Sequence, residues 1–458
     1  MPKGLVQALP ANDNKSQGGS PARWKGPGMI RLGARLGVLV IFSFMIVAIP
    51  ADAAVVTHPM NVAGQAGVYE FTRTFSVDAV DFDDDWSGAY PDDFFFVRHD
   101  PQLGLGNLPT STLRRNLHGG GFVDGGTAMF GKTDKHGCAW GDYNNDARQD
   151  MACAIGFGQF SKNELWRQNP DGTFTNVARA LGIQSNTHGR YRYVTFIDAN
   201  NDGNQDLYFA RYFGPSVPWD PTSPSYYPGD DWPNELRLNR GSGAGYAFRN
   251  APEFGLNVLD GARKDANACV QAIDHDGDGD QDLLVCGQQS LHLYRNNWPA
   301  ASFSNVTAPL GVTQQGIRDA RIVDLNHDGI YELVRLTSGR FEVSTRSGNL
   351  GPWSGTRYSF ALSQGESLAT GDFNGDELSD IFIVAQKGTD GRDDPDYLLT
   401  QSLPLNFERR SMGIVTGSGD DVEAIDYNRD GSADFIVSNG DRRRAGPVQL
   451  WTNQVSTP

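Results

Sequence analysis

Asp274-His275-Asp276-Gly277-Asp278-Gly279-Asp280-Gln281-Asp282 is preceded by Val270-Gln271-Ala272-Ile273 and followed by Leu283-Leu284-Val285. Oxygen-bearing side chains stand at positions 1, 3, 5 and 9 of a short polar loop, and both flanks are apolar and strand-like. The same frame recurs at Asp142 to Asp150, Asp198 to Asp206, Asp324 to Glu332, Asp372 to Asp380 and Asp426 to Asp434. A looser copy starts at Asp81, Asp83 and Asp85 and ends at Asp92 or Asp93, its turn lengthened by Trp86 to Pro91. Seven copies make one repeated unit, and their first residues are 48 to 61 apart except for one interval of 76. Periods of about 40–50 residues mark propeller blades.

Each unit continues with a second alternating segment, among them Ser111 to Asn116, Asn163 to Arg167, Asn234 to Asn239 and Leu291 to Arg295. A last segment centres on Phe122, Phe174, Phe248, Phe303, Phe360 or Phe407. Four short strands per unit are one blade, so the expectation is an all-β, seven-bladed β-propeller with Asp-rich loops between the first and second strands of each blade. The seventh unit stops after Trp451-Thr452-Asn453 without a fourth strand. Residues 68–74 resemble the missing element and are expected to close the ring, removing the exposed sheet edges that invite aggregation.

The loops have the chemistry of a hard-cation site. Carboxylates and amides at positions 1, 3 and 5, with a carboxylate returning at position 9, can supply four oxygens to a calcium shell completed by a backbone carbonyl and water. The expected ligands are Asp81, Asp83, Asp85 and Asp93; Asp142, Asn144, Asp146 and Asp150; Asp198, Asn200, Asp202 and Asp206; Asp274, Asp276, Asp278 and Asp282. Asp324, Asn326, Asp328 and Glu332, then Asp372, Asn374, Asp376 and Asp380, then Asp426, Asn428, Asp430 and Asp434 complete the set, for up to seven structural Ca²⁺ ions. Glycine at position 6 permits a left-handed turn at Gly203, Gly279, Gly329 and Gly431, whereas Ala147 and Glu377 replace it. An EF-hand would need flanking helices and a Glu at position 12, and neither is present. One isolated copy would read equally well as an Asx-rich turn; seven copies in one frame do not.

The frame, with Phe82, Tyr143, Phe373 or Tyr427 at position 2, resembles the FG-GAP and VCBS repeats of integrin α-subunit propellers and of many exported bacterial proteins. The likeness covers roughly residues 66–454. It implies seven blades with ions on one rim and assigns those ions a structural role, with no catalytic residue.

The N-terminus reads as an export signal. Lys3, Lys15, Arg23, Lys25, Arg31 and Arg35 precede an apolar run from Leu36 to Ile49 and an Ala51-Asp52-Ala53 cleavage site. The run is shorter than the roughly 20 residues of a spanning helix. The expected division is therefore 1–53, extension and cleavable signal, and 54–458, propeller; a retained anchor is the alternative. Localisation is expected to be periplasmic, secreted or cell-surface, with no membrane span after cleavage. A net charge of -16 argues against nucleic acid as a partner.

Cys138 and Cys153 flank the second Asp loop, and Cys269 and Cys286 flank the fourth, at offsets that place each pair across neighbouring strands in the same register. In an exported protein both read as disulfides, with buried thiols as the alternative. The eight histidines fall in unrelated contexts, with His275 and His327 expected to face solvent, and no H-E-x-x-H, G-x-S-x-G or P-loop pattern occurs.

A long insertion, Tyr212 to Pro233, carries Trp219, Tyr226, Tyr227 and Trp232. With basic residues expected on the same face (Arg190, Arg192 and Arg263, also Lys132, Lys135 and Arg318), it forms a candidate surface for a glycan or protein partner opposite the calcium loops. The leading expectation is a binding or adhesion scaffold. A carbohydrate-active enzyme, lyase-like and with a site built from several loops, is the rival; a structural module of a surface assembly is a third reading.

Overall fold

The computed structural model describes residues 58–72, 74, 76–98, 110–156, 162–184, 191–211, 233–256, 267–287, 291–312, 316–385, 394–413, 421–440 and 445–453. The expected signal segment lies outside them. Among the described residues no helix is long and apolar enough to cross a membrane.

Seven four-stranded antiparallel sheets follow one another along the chain. Blade 1 is Ser76–Val80, Asp93–Val97, Thr112–Asn116 and Phe122–Asp124; blade 2 is Lys135–Gly141, Asp150–Ile155, Glu164–Gln168 and Phe174–Asn176. Blade 3 is Tyr191–Ile197, Asp206–Arg211, Glu235–Asn239 and Phe248–Asn250; blade 4 is Asn267–Ile273, Asp282–Gly287, Leu291–Asn296 and Phe303–Asn305. Blade 5 is Ile317–Val323, Glu332–Thr337, Arg340–Thr345 and Gly355–Ala361; blade 6 is Gly365–Gly371, Asp380–Ala385, Asp396–Leu403 and Asn406–Gly413. Blade 7 takes Asp421–Ile425, Asp434–Ser438 and Gln449–Asn453 from the C-terminal end and Pro59–Asn61 from the N-terminal end. First strands of consecutive blades adjoin all the way round, and that of blade 7 meets that of blade 1. The fold is the seven-bladed propeller that the repeat spacing implies.

The second strands are buried from end to end, as in Asp93–Val97 and Asp206–Arg211, because each lies between two neighbouring sheets. One apolar cluster fills each of the seven joints. Phe95, Val97 and Leu113 of blade 1 meet Met151, Cys153 and Trp166 of blade 2, and Phe373 and Phe382 of blade 6 meet Phe435 and Val437 of blade 7. Burying side chains of this size contributes about 1.5–3 kcal/mol each.

The closing strand is Pro59–Asn61, not residues 68–74. It pairs with Trp451 to Asn453, and the chain then turns through residues 62–68. Val62, Ala63, Ala66 and Val68 are buried in the joint between blades 7 and 1, so Val68 serves as a core anchor where strand alternation suggested a sheet position. Phe71–Thr72 forms only a short ladder with Gly446–Pro447.

Cys138 lies opposite Cys153 and Cys269 opposite Cys286 in adjacent antiparallel strands, with Cα separations of 4.1 and 4.9 Å, and in each pair the sulfurs are bonded. Both pairs point into joints, Cys138–Cys153 toward blade 1 and Cys269–Cys286 toward blade 5.

Candidate metal centres and binding face

Six of the seven Asp loops share one hydrogen-bonded form. In blade 3 the backbone N–H groups of Asp202 and Gly203 donate to Asp198 Oδ1 and Oδ2 at 3.0 and 2.8 Å, and Asn204 N–H donates to Asp202 Oδ1 at 2.9 Å. Equivalent bonds organise the loops starting at Asp142, Asp274, Asp324, Asp372 and Asp426. The wrap needs left-handed backbone twice. Position 6 is left-handed at the four glycines and also at Ala147 (φ 63°) and Glu377 (φ 68°). Position 4 is left-handed in all seven loops, at residues as different as Asn201, His327 and Arg429.

The ninth residue of the loop, with Asp93 in its place in the longer loop 1, opens the second strand of every blade and is buried. Its carboxylate is held from two sides. Asp206 accepts from Ala199 N–H at 3.0 Å and from Asn239 N–H at 2.7 Å; Asp380 does the same with Phe373 and Gln401. Burial raises six acids at this place, and the neighbouring loop carboxylates add to it, while the N–H bonds oppose. Asp93, Asp206, Asp380 and Asp434 are pushed up to about 8, and Asp150 and Glu332 to about 7. A cation close to such a group would relieve the repulsion.

The residues fit a hard cation. Three carboxylates come within 4.8 Å of one another at Asp274, Asp276 and Asp278; Asp81, Asp83 and Asp93 of loop 1 are as close, but there Arg115 and Arg429 pair with acids of the loop. Where position 3 is Asn, its amide nitrogen donates to the fifth-position carboxylate, as Asn200 does to Asp202 at 3.0 Å and Asn428 to Asp430 at 2.9 Å, while its oxygen accepts the fifth-position N–H at 3.3 and 3.2 Å and keeps a second lone pair for an ion. Buried third-position oxygens without a hydrogen-bond partner occur at Asp83, Asn144 and Asp276. An oxygen stripped of water and given no donor is costly, and those of Asn144 and Asp276 stand where a hard cation would sit. Arginines border some loops: Arg148 pairs with Asp146, and Arg295 reaches Asp276 and Asp278 at 2.8 and 3.1 Å.

A second device ties six of the seven loops to the next blade. The side-chain amide of Asn239, at the end of the third strand of blade 3, donates to Tyr143 O in the loop of blade 2 at 2.7 Å. Gln168, Asn296, Gln401 and Asn116 donate in the same way to Phe82 O, Ala199 O, Leu325 O and Tyr427 O, and the Arg346 guanidinium serves His275 O at 2.6 Å. Except at Arg346, the backbone N–H of the same residue also bonds the ninth-position carboxylate of its own blade. Six of the seven Asp loops are thereby fixed to a neighbouring blade.

His275 does not face solvent. It is buried, stacks on Trp353 and places Nδ1 against Asp282. His327 is exposed at its loop tip. Lys135 is likewise no surface cation: fully buried, its Nζ contacts Glu164 at 3.1 Å and donates to Phe130 O at 3.0 Å.

Arg192 is the extra residue of a bulge in the first strand of blade 3, at the end away from the Asp loop. Trp219, Tyr226, Tyr227, Trp232, Arg190 and Arg263 lie outside the described residues. The insertion that carries the aromatics leaves the propeller between Arg211 and Asn234, also at the end away from the loops. Its base is a buried ion network in which Arg211 and Arg237 both pair with Glu235, and Arg211 donates to Tyr191 O–H at 2.6 Å and lies over the Tyr191 ring.

Fold and loops together define a seven-bladed β-propeller, parts of which match FG-GAP-like repeats. The family model described as FG-GAP-like repeat matches residues 142–209 and 274–335, which hold four of the seven blade loops in whole or part of that form, namely those starting at Asp142, Asp198, Asp274 and Asp324. No curated protein matches the sequence. A similar solved structure is a lectin of Agrocybe aegerita, described by its specific recognition of non-reducing terminal N-acetylglucosamine; it is 17% identical, with 77% of this chain and 90% of that chain covered and a TM-score of 0.45. Likeness at that level says nothing about a ligand.

Proposed function

We propose that this protein is a calcium-stabilised, extracytoplasmic binding scaffold that takes a glycan or protein partner at the end opposite the Asp loops. The observation that carries the metal assignment is the set of buried, unpartnered third-position oxygens at Asn144 and Asp276, each within a loop of hard oxygen donors. Calcium accepts six to eight such oxygens in flexible geometry, whereas magnesium demands a stricter octahedron. What supports the binding end is the rooting of the long insertion. It springs from the Tyr191–Arg211–Glu235–Arg237 network, a rigid base of the kind from which loops present ligand contacts.

Trp219 and Trp232 supply aromatic surface for a sugar ring or a partner's pocket, and Arg190, Arg192 and Arg263 supply charge for carboxylate or sulfate groups. The test is a glycan array probed with the mature protein in calcium and in EDTA, followed by an assay for new reducing ends. Calcium-dependent binding without turnover, weakened by Trp219→Ala/Trp232→Ala at an unchanged melting midpoint, is the expected result. Polysaccharide cleavage would make the protein an enzyme, and loss of binding only in Asp-loop variants would move the site to the calcium rim.

A further inference from the structure

The first Asp loop departs from the other six, and its departures share one cause. In the other six loops the fifth-position carboxylate folds back on its own turn, accepting from the N–H of position 7: Arg148 to Asp146 at 3.1 Å, Asn204 to Asp202 at 2.9 Å, Asp280 to Asp278 at 3.2 Å, Ile330 to Asp328 at 2.8 Å, and so on. Arginines also pair with Asp146 and Asp278, but leave that bond in place, whereas Asp85, the fifth residue of loop 1, is taken by a side chain from the far end of the sequence. Arg429, at position 4 of the seventh loop, pairs through Nη2 with Asp85 Oδ1 and with Asp92 Oδ2 at 2.7 Å, and its Nε donates to Asp92 Oδ2 at 2.9 Å.

The rest of the environment fits a guanidinium. Arg429 lies 5.2 Å from the ring centroid of Trp86, and His118 Nδ1 contacts its Nη1. Trp86 occupies position 6, where the other loops turn left-handed and this one does not. Asp92, whose carboxylate Arg429 grips with two nitrogens, is fully buried. A second guanidinium, Arg115, stands 3.6 Å from Asp83 Oδ2. A guanidinium can serve two carboxylates at once and is attracted to a nearby aromatic ring; Arg429 gives two nitrogens to the single oxygen Asp92 Oδ2, one of them shared with Asp85, beside the Trp86 ring.

We infer that loop 1 takes the Arg429 guanidinium in place of a divalent cation, so the propeller carries at most six calcium ions and its closing seam is bolted by an ion network that needs no metal. The inference rests on the calcium reading above for the count of ions, but the bolt stands apart from it. The seam joins blade 7 to blade 1, the one joint where the two ends of the chain meet. Asp426 N–H donates to Pro91 O at 2.8 Å across it, and the Asn116 amide donates to Tyr427 O at 2.8 Å. Arg429 adds the charged component at that joint.

Native mass spectrometry of the mature protein in calcium counts the ions, and a thermal double-mutant cycle in EDTA reads the bolt. Wild type is expected to hold no more than six ions. Asp85→Asn keeps that number, whereas Asp202→Asn in loop 3 lowers it by one. In EDTA, Arg429→Gln and Asp85→Asn each lower the midpoint by a few degrees, and the double variant falls no further than either alone. Seven ions in wild type, loss of one ion in Asp85→Asn, or additive losses in the cycle would overturn the inference. If wild type binds no calcium, the calcium reading fails, and the EDTA cycle by itself decides the bolt: non-additive losses keep it and additive losses remove it.

Discussion

The side-chain amide of Asn239 donates to the main-chain oxygen of Tyr143, 96 residues earlier, at 2.7 Å. The same residue's backbone N–H donates to Asp206 Oδ1 at 2.7 Å. Asn239 thus joins the Asp loop of blade 2 to the ninth-position carboxylate of blade 3, and Asn116, Gln168, Asn296 and Gln401 do the same at four other joints. The joints and the Asp loops are one structure, so order imposed at a loop reaches the neighbouring blade.

Asn239→Ala should therefore destabilise the propeller even though it removes no metal ligand. It leaves Tyr143 O and Gln205 O without their donor in a buried setting, which costs about 1–3 kcal/mol. Urea denaturation of the calcium-loaded protein measures it. A variant that unfolds with wild type would show that the amide is replaceable by water.

Glu377→Gly and Ala147→Gly should stabilise. Both residues hold a left-handed φ, 68° and 63°, at a position filled by glycine in four other loops. A side chain there costs roughly 1–2 kcal/mol that glycine does not, less the extra chain entropy glycine loses on folding. A net gain of up to about 1 kcal/mol in chemical denaturation is expected, and a loss at both sites would contradict it.

Without metal, stability should fall as pH rises from about 4 to about 8, because Asp93, Asp206, Asp380 and Asp434 are raised to about 8 and Asp150 and Glu332 to about 7. Each folded-state value lies above the unfolded carboxyl range of about 3.9–4.3. The folded chain therefore binds more protons than the unfolded one between those limits. The stabilisation is complete below the unfolded value and is lost as pH passes through the folded one. Calcium should flatten the profile by displacing those protons. Melting midpoints across pH in EDTA and in calcium test this; a midpoint in EDTA that rises over the interval is incompatible with it.

The blades were legible because the Asp frame is a side-chain requirement: oxygen atoms at positions 1, 3, 5 and 9 cannot be supplied by many residue types. Backbone requirements left fainter marks. Position 4 must be left-handed, but asparagine, aspartate, histidine, arginine and glycine all fill it, at Asn145, Asp84, His327, Arg429 and Gly277. The joint donors are equally mixed, since Asn239, Gln168 and Arg346 each reach the same kind of carbonyl. Residues 68–74 alternated like a closing strand, yet Val68 is buried in the core of the seam and three residues, Pro59–Asn61, complete the sheet. His275 looked like a loop-tip residue because its burial comes from Trp353, 78 positions away in sequence. Arg429 was invisible for the same reason: its partners Asp85 and Asp92 lie at the other end of the chain.

The central claim is that the Asp loops hold calcium as a structural ion. Thermal unfolding of the mature protein in EDTA, in magnesium and in calcium tests it most directly. An ion bound only by the folded state adds RT ln(1 + [L]/Kd), about 2.7 kcal/mol per site at a hundredfold excess over Kd, so several loops acting together should raise the midpoint strongly in calcium and much less in magnesium. A midpoint that is the same in EDTA and in saturating calcium would contradict the account.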